Sequence, residues 1–541
     1  MSKKNIIFLL ILTIALGAFL RLYNLGNTNL GFFRDEAALG FNAWSLLTTG
    51  ADEYGQKFPV IFRSFEVFFM PAYVYLSVPI FWVFGISEFS TRLLSALSGI
   101  GIIYLSFLIA NKIFKSKTVG LVSAFVVATS PWAIFYSRGA FEGNLALLFF
   151  ACGVYLWLKF KQTNKIRWFF ASIIVFVFSM YSYQAPRPVT PLFVGFSILV
   201  QRQWWKAWRL WVVGGLVAII LYLPVVKLTT QAAGYHRAVG VSIFSSEQAV
   251  PGLNPDKGEW QKLYLVPREF LSLYVHYFSP ANIFWQGDYN TQRRLPNISV
   301  LYFWQLPFLI YGVWKVWKSD LTNKKMLFIW VLLAPIPASL TRDPFHTYRS
   351  ILLWLPISLL IALGIYHALA NLKKVKNQAI YLYIGTTAIS LAMFMFGLLK
   401  YAPVYYWRDW DYGYKQIADY LKTQPDDSRV VIDDPHTESY INLLFYQVVP
   451  ISEYQNAALE MVNSKAYYQN TAELRPRKVG RFEFRQVDWP SERGDENTIF
   501  IFPSDRLYPS EFSADPKLKL EKIVISPTGE AAFYIISTKK I

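Results

Sequence analysis

A single cysteine, Cys152, stands in 541 residues. An intrachain disulfide needs two and a CxxC metal or redox motif needs a close pair, so both are excluded. Charge is also scarce: Asp, Glu, Lys and Arg make up 16% of the chain, against roughly 25% in soluble proteins. No Gly-rich nucleotide loop, HExxH or Ser-His-Asp spacing is present, so nucleotide-driven and hydrolytic chemistries gain no support. A fixed-period repeat is missing too. What the chain has in excess is apolar surface. Hydrophobic residues reach 54% and aromatics 18%, with 19 tryptophans and a mean hydropathy of +0.29. Lipid is the main solvent such a chain expects.

A formal charge of +18 would suit a nucleic-acid binder, but its distribution argues otherwise. From Lys400 to Ile541, 18 basic residues face 21 acidic ones, which leaves 35 basic and 14 acidic residues in the first 399. The surplus therefore belongs to the apolar part, a membrane signature.

A bilayer-crossing helix takes about 20 mainly apolar residues. Ile6–Leu20 fits, behind Lys3 and Lys4, and without a small-residue cleavage site it reads as an uncleaved anchor. Further stretches free of Asp, Glu, Lys and Arg run Leu93–Asn111, Thr118–Ser137, Gly143–Leu158, Trp168–Pro186, Pro188–Gln201, Leu210–Val226, Leu295–Trp314, Met326–Thr341, Ser350–Leu372 and Asn377–Leu399. That predicts about eleven spans. Alternate short loops hold 17 Lys and Arg, while the intervening ones hold only Arg138, Arg187, Arg342 and Arg349. This positive-inside bias favours an N-terminus in the cytoplasm; the alternative, an outside N-terminus with twelve spans, strands Lys3 and Lys4 on the wrong face. The bias also requires Val67–Ser87, uncharged and long enough to cross, to lie along the outer interface or to dip in and return, for which Pro71 and Pro79 suit a broken element. Outside the cytoplasm then lie a first loop of about 24–90, a long loop of about 227–294, and everything after Leu399. The fold class is a polytopic α-helical membrane protein, residues 1–399, plus an extracytoplasmic α/β domain, residues 400–541. In that domain Tyr412–Leu421 and Glu438–Tyr446 read as helices, and Val430–Asp433, Thr498–Phe502, Leu520–Ile525 and Ala532–Ser537 as strands. Lys465–Arg493 looks irregular.

Ionisable groups at the outer helix ends are the candidate site. Asp35, in Arg34-Asp35-Glu36, precedes a helical pattern of Leu39, Ala43, Leu46 and Leu47 that ends at Gly50. It fits a helix N-cap with an acidic first turn, or a catalytic base. Arg138 and Glu142 link two spans on the same face. There Arg138 either snorkels to the interface or meets an anion, and Glu142 opens the next helix. In the loop Arg342–Arg349, His346 and Arg349 are spaced to share a helix face and grip a phosphate, or to belong to a polar hairpin. Arg187 is a weaker candidate of the same kind. Arg293 and Arg294, just before the eighth span, could serve or could mark the membrane edge. Cys152, mid-span, reads as packing.

These residues resemble the GT-C superfamily, polytopic glycosyltransferases that take sugars from polyprenyl phosphates, and in particular the bacterial relatives of protein O-mannosyltransferase and aminoarabinose transferase. The carriers are Phe33-Arg34-Asp35-Glu36-Ala37, Leu47-Thr48-Thr49-Gly50, Phe84-Gly85-Ile86-Ser87 with Thr91-Arg92-Leu93, and Tyr136-Ser137-Arg138 with Glu142. The resemblance implies a large first external loop with amphipathic helices. It also implies a general base at Asp35 with Glu36 beside it, and the second-loop arginine and acid at Arg138 and Glu142, where the family often has Asp. Many relatives carry Lys-Pro-Pro in the first loop. Here Arg63–Pro71 has no lysine, so Arg63 or Arg349 would take its place at the lipid phosphate. Some relatives bind a divalent metal near this loop and others need none; Glu66, Glu142 and His346 are the candidate ligands, and no nucleotide cofactor is expected.

The function so implied is transfer of a hexosyl or pentosyl group from a polyprenyl-phosphate sugar to a hydroxyl of a protein, lipid or glycan, with inversion, at the outer face of the cell membrane. Arg138, Arg349, His346, Arg187 and Arg63 would stabilise the leaving phosphate. The alternative is a transporter or flippase for a glycolipid. Such proteins usually carry mid-membrane charges and inverted repeats, whereas these spans lack Asp, Glu, Lys and Arg.

Overall fold

Backbone inside a bilayer must satisfy its own hydrogen bonds, so apolar runs fold as helices. A computed structural model describes residues 2–65, 67–229, 242–244, 250–252, 259–372, 374–463, 466–468 and 475–538. Glu66, one of the candidate metal ligands, lies outside the described residues, as does part of the long loop 227–294. Two compact units emerge: Met1–Leu25 with Arg92–Gly397, and Gly26–Thr91 with Leu398–Ile541. Residues 26–91 thus group with the C-terminal stretch.

The first ten helices in chain order are α1 (Lys3–Leu22), α2 (Arg34–Thr49), α3 (Pro71–Phe84), α4 (Glu88–Phe114), α5 (Lys117–Thr129), α6 (Pro131–Arg138), α7 (Glu142–Thr163), α8 (Ile166–Ser182), α9 (Pro186–Leu199) and α10 (Trp208–Thr229). Later in unit one come Leu306–Lys318, Lys324–Leu333, Ile336–Ser339, Ile351–Asn371 and Lys376–Phe396. Every expected span overlaps a helix or a helix pair, but the first part of Leu295–Trp314, residues 295–302, is not helical. Among the described residues, however, six helices are long and apolar enough to cross a membrane, or seven if α5 and α6, bent by 55°, count as one. Four expected spans are shorter: α8 has 17 residues, α9 has 14, Leu306–Lys318 has 13 and Lys324–Leu333 has 10. Proline accounts for part of this, since Pro191 sits inside α9 and Pro335 and Pro337 end the 324–333 helix. The stretch Val67–Ser87 forms a short strand followed by α3, a 14-residue helix with Pro79 inside it.

Unit one closes on small residues and buried arginines. Arg21 at the end of α1 donates to the carbonyls of Val127 and Ala128 at the C-terminal end of α5, and to the Ser137 hydroxyl. Gly312 and Gly364 bring helices Leu306–Lys318 and Ile351–Asn371 into backbone contact: a Cβ on either would lie 1.9 Å from a carbonyl oxygen of the other helix.

In unit two β1 (Phe62–Ser64) and β2 (Val67–Phe69) pair antiparallel. A mixed sheet follows, with β3 (Arg429–Asp433), β4 (Lys478–Val479), β5 (Phe482–Arg485), β6 (Thr498–Pro503), β7 (Leu518–Ile525) and β8 (Ala531–Thr538) in the order β4-β5-β3-β6-β8-β7. β3 runs parallel to β5 and β6, and the other pairs are antiparallel. Val431, Phe500, Phe502, Trp489 and Ile536 fill the core on one face of this sheet. The four strands and two helices expected in this region are present, and β4, β5 and the short helix Trp489–Glu492 occupy the stretch that read as irregular.

Candidate functional site

The candidates divide between the units: Asp35, Glu36 and Arg63 belong to unit two, and Arg138, Glu142, Arg187, His346 and Arg349 to unit one.

In unit two, Phe33 precedes α2 with extended backbone, and the Glu36 carboxylate accepts its N–H at 3.4 Å. Capping therefore falls to Glu36, which is buried, while Asp35 is the second residue of the helix and half-buried. α2 ends where expected, at Gly50 in the left-handed conformation (φ 69°). The segment before it is tightly held. Gly31 has φ 119°, and a Cβ there would meet the Trp410 carbonyl oxygen at 2.2 Å, so only glycine fits. Arg34 donates from Nη2 and Nε to Asp411 at 2.6 and 3.0 Å, and pairs through Nη1 with Glu438. Burial works against the Arg34 charge, but Asp411 and Glu438 outweigh it and raise its pKa.

Beyond α2 lies a buried polar core that sequence reasoning missed. Asp52 and Glu53 are both fully buried. Asp52 accepts the Tyr467 hydroxyl at 2.5 Å and the amides of Tyr54 and Gln56 at 3.0 and 2.9 Å. Burial pushes its pKa from 3.8 up to about 7, with the Tyr467 hydrogen bond pulling the other way. Glu53 is raised by burial and by Asp52. Arg63 lies in this core at 1% exposure, its Nη1 donating to the Tyr467 carbonyl at 2.8 Å, so its place is interior rather than at an open cleft.

In unit one, Arg138 Nη1 caps the end of α1, donating to the carbonyls of Leu20, Arg21 and Tyr23 at 3.0, 3.4 and 2.8 Å. Glu142 opens α7 and is buried. The next amide, Gly143 N–H, donates to the Tyr348 hydroxyl at 2.8 Å, and Tyr348 packs on Tyr183 with ring centroids 4.6 Å apart. The 342–349 loop is thereby seated against the start of α7. Burial and the Glu142 charge push the Tyr348 phenol up, which keeps it neutral.

His346 and Arg349 lie in the turn before helix Ile351–Asn371, both beside Asp343. His346 Nδ1 accepts the Arg349 amide at 3.1 Å, while Asp343 lies 3.7 Å from its Nε2 and 3.0 Å from Arg349 Nη1. Burial, then Arg349 and Arg293, lowers the His346 pKa well below its usual range, so the ring is neutral. Beside it Asp288, which the sequence did not single out, accepts the Thr347 amide and hydroxyl at 2.8 Å each and pairs with Arg293 at 3.0 Å. Among the described residues no three His, Cys, Asp or Glu gather as a metal site. His346 is engaged with the Arg349 amide and Asp343.

Between α8, α9 and α10 lies an apolar cavity of about 470 Å³, lined by Phe176, Val194, Ile198, Trp211 and Leu223 among others. Its walls also include Thr190 and Tyr222, whose buried hydroxyls have no hydrogen-bond partner. Arg187, at the first turn of α9, is within electrostatic reach of Tyr222.

Residues 70–227 match the family model of dolichyl-phosphate-mannose-protein mannosyltransferases. Among solved structures, ArnT from Cupriavidus metallidurans in the apo state is 13% identical, with a TM-score of 0.55 and 97% of each chain covered. The same protein bound to undecaprenyl phosphate gives 12% identity and a TM-score of 0.56 over 99% of this chain and 98% of that one. The oligosaccharyltransferase AglB from Archaeoglobus fulgidus, in complex with an inhibitory peptide and a dolichol-phosphate, is 12% identical with a TM-score of 0.50, covering 92% of this chain and 69% of its own. No curated protein sequence matches. At such identities the likeness is one of fold, and it spans nearly the whole chain. This multi-pass membrane protein thus has the fold of ArnT over nearly its whole length, and its residues 70–227 match the mannosyltransferase family model.

Proposed function

We propose that the chain transfers a sugar from a polyprenyl-phosphate donor to a hydroxyl acceptor at the extracytoplasmic face of the membrane. The observation that carries this reading is the cavity between α8, α9 and α10: apolar, with two unmet hydroxyls in its wall and Arg187 within electrostatic reach of one of them. An isoprenoid tail suits its walls, and a phosphate suits the hydroxyls and the cation. The family match and the lipid phosphates named for ArnT and AglB point the same way.

In the reaction Asp35, in the first turn of α2, takes the proton of the acceptor hydroxyl. The hydroxyl oxygen forms a bond to the sugar anomeric carbon as the bond to the phosphate oxygen breaks, and the electron pair leaves with the phosphate. Attack opposite the leaving group inverts the anomeric centre. A general base contributes on the order of 10²–10⁴-fold, and Arg187 and Arg349 supply charge for the departing phosphate. Arg138 and Arg63 are structural cations in this reading, because each spends donors on backbone carbonyls. The N-terminus is cytoplasmic, and residues 26–91 and 398–541 are extracytoplasmic, on the basis of the loop charge bias. Residues 1–399 hold the donor, and the 400–541 domain shapes the acceptor side.

The test uses membranes containing the full chain, given a panel of labelled undecaprenyl-phosphate sugars, with products read by mass spectrometry. Transfer that Asp35→Asn abolishes, in a protein that still folds and retains the lipid, is the expected result. Normal turnover by that variant refutes the assignment of the base, and movement of labelled lipid across the bilayer without any new glycoside would favour a flippase.

A further inference from the structure

Three loops that lie far apart in sequence meet at one end of unit one. They join α4 to α5, α7 to α8, and helix Leu306–Lys318 to helix Lys324–Leu333. Specific bonds hold them together. Lys112 Nζ donates to Gln162 Oε1 at 2.6 Å, Asn323 Nδ2 donates to the Lys112 carbonyl at 3.2 Å, and Lys161 Nζ donates to the Thr322 carbonyl at 3.3 Å. α7 begins at Glu142 and ends at Thr163, so this end of the unit lies about 30 Å from Glu142.

The charge gathered there has one sign. Segments 111–117, 159–167 and 318–325 hold ten Lys and Arg and a single acid, Asp320. Among the described residues no carboxylate pairs with any of the ten; the lysines that do pair, Lys415, Lys478 and Lys519, belong to unit two. Lys112 and Lys161 are half-buried, and each spends one of its three N–H donors on a neighbouring loop. Two ammonium groups are thereby held in place with donors to spare. Trp168 steadies two more cations, with Lys159 Nζ 3.5 Å and Arg167 Cζ 4.9 Å from its ring centre. Ile166 and Trp317, 57% and 71% exposed, flank the group with apolar surface.

Cations at the helix ends of a multi-pass chain sit at headgroup depth. Fixing the orientation of the chain needs only their number, not bonds that draw three loops into one surface. We propose that this surface docks the headgroup of an anionic phospholipid. Its phosphate accepts from Lys112 and Lys161, the exposed lysines around them deepen the attraction, and its acyl chains run past Ile166 and Trp317. The apolar flank favours a lipid over an acidic protein segment, which would leave Ile166 and Trp317 uncovered. Nothing in this proposal rests on the transfer reading.

Native mass spectrometry of the full chain in detergent, titrated separately with dioleoyl phosphatidylglycerol and dioleoyl phosphatidylcholine, tests it. The wild type should hold phosphatidylglycerol about tenfold more tightly than phosphatidylcholine, and Lys112→Gln/Lys161→Gln should lose most of that preference. Lys422→Gln/Lys517→Gln, which removes the same charge from exposed positions of unit two, should keep it. Equal preference in the wild type and Lys112→Gln/Lys161→Gln overturns the proposal. Should that variant not fold, Lys115→Gln/Lys165→Gln takes its place, because these exposed side chains stand outside the bonds that join the loops. Its preference should fall about threefold, and an unchanged one overturns the proposal. A second series adds a decaglutamate peptide: phosphatidylglycerol that stays bound at equimolar peptide supports the lipid, and full displacement overturns it in favour of an acidic protein segment.

Discussion

Arg34 and Asp411, 377 residues apart in sequence, meet side chain to side chain through two hydrogen bonds of 2.6 and 3.0 Å, and Asp411 also accepts the Arg34 backbone amide at 2.9 Å. The contact ties the first turn of α2, and with it Asp35, to the stretch that follows the last apolar helix. Asp411 adopts a left-handed backbone (φ 50°), a conformation non-glycine residues reach at some cost, and the contact with Arg34 offsets it.

Asp411→Ala should therefore loosen the start of α2. The Arg34 side chain is one-third exposed while that of Asp411 is buried, so the loss is expected at about 1–3 kcal/mol, below that for breaking a fully buried pair. Hydrogen exchange on the full-length protein should show faster exchange at residues 34–38, and transfer should fall through kcat with little change in donor KM. Unchanged exchange there would mean that the pair does not hold the helix.

The Asp52 core makes the stability of unit two depend on pH. A carboxyl whose pKa rises on folding, here from 3.8 to about 7, keeps its proton in the native state while the unfolded chain has lost it. Stability is then highest at low pH, falls as pH rises between those two values, and levels off above the upper one, with a slope approaching about 1.4 kcal/mol per unit. Asp52→Asn should flatten the profile. Unfolding of the second unit followed from pH 4.5 to 8 checks both the sign and its dependence on residue 52.

How much of this was legible in the sequence depends on the range of the interaction. The apolar runs overlap helices because their signal is local, although Leu295–Trp314 is an α-helix only from Leu306, and Val430, Thr498, Leu520 and Ala532 begin or lie in strands for the same reason. β5 was missed because Arg481, Glu483 and Arg485 read as a polar loop, although Phe482 and Phe484 alternate with them; Glu483 pairs with Arg429 on the neighbouring strand, a partner 54 residues away. Burial of Asp52 could not be seen, since its cover, Tyr467, comes 415 residues later. Asp288 was overlooked likewise, because Thr347 reaches it from a segment 59 residues away. His346 and Arg349, three residues apart, needed only local spacing.

His346 responds with the opposite sign. Its pKa is held well below 6.5 by burial, Arg349 and Arg293, so the unfolded chain takes up a proton that the native ring refuses. Stability of the 342–349 loop should be complete above pH 6.5 and decline as pH falls below it. Hydrogen exchange at the Arg349 amide, which donates to the His346 ring, should quicken from pH 7 to 5 beyond its intrinsic rate change, and His346→Gln should remove that excess. An excess of equal size in His346→Gln would assign the effect to another group.

The packing of Gly312 against Gly364 yields the most direct test of the membrane half. An added methyl at either position would sit 1.9 Å from a backbone carbonyl oxygen, of Leu360 or of Phe308, and backbone cannot rotate away as a side chain tip can. The helices would have to separate by more than 1 Å, on the order of the distance missing from a normal contact, forfeiting dispersion along the whole interface. Overpacking of this kind costs about 1–3 kcal/mol where side chains can adjust, and more is expected where only backbone can. Gly364→Ala and Gly312→Ala should each lose most of their monodisperse protein in size-exclusion chromatography of detergent extracts. Gly385→Ala is the matched control: it lies in the apolar helix Lys376–Phe396, and a Cβ there meets nothing within 4 Å. Since alanine also has the better helix propensity, Gly385→Ala should fold as well as the wild type or better. A Gly364→Ala chain recovered in the same yield and with the same melting temperature as Gly385→Ala would show that these two helices do not touch through their backbones.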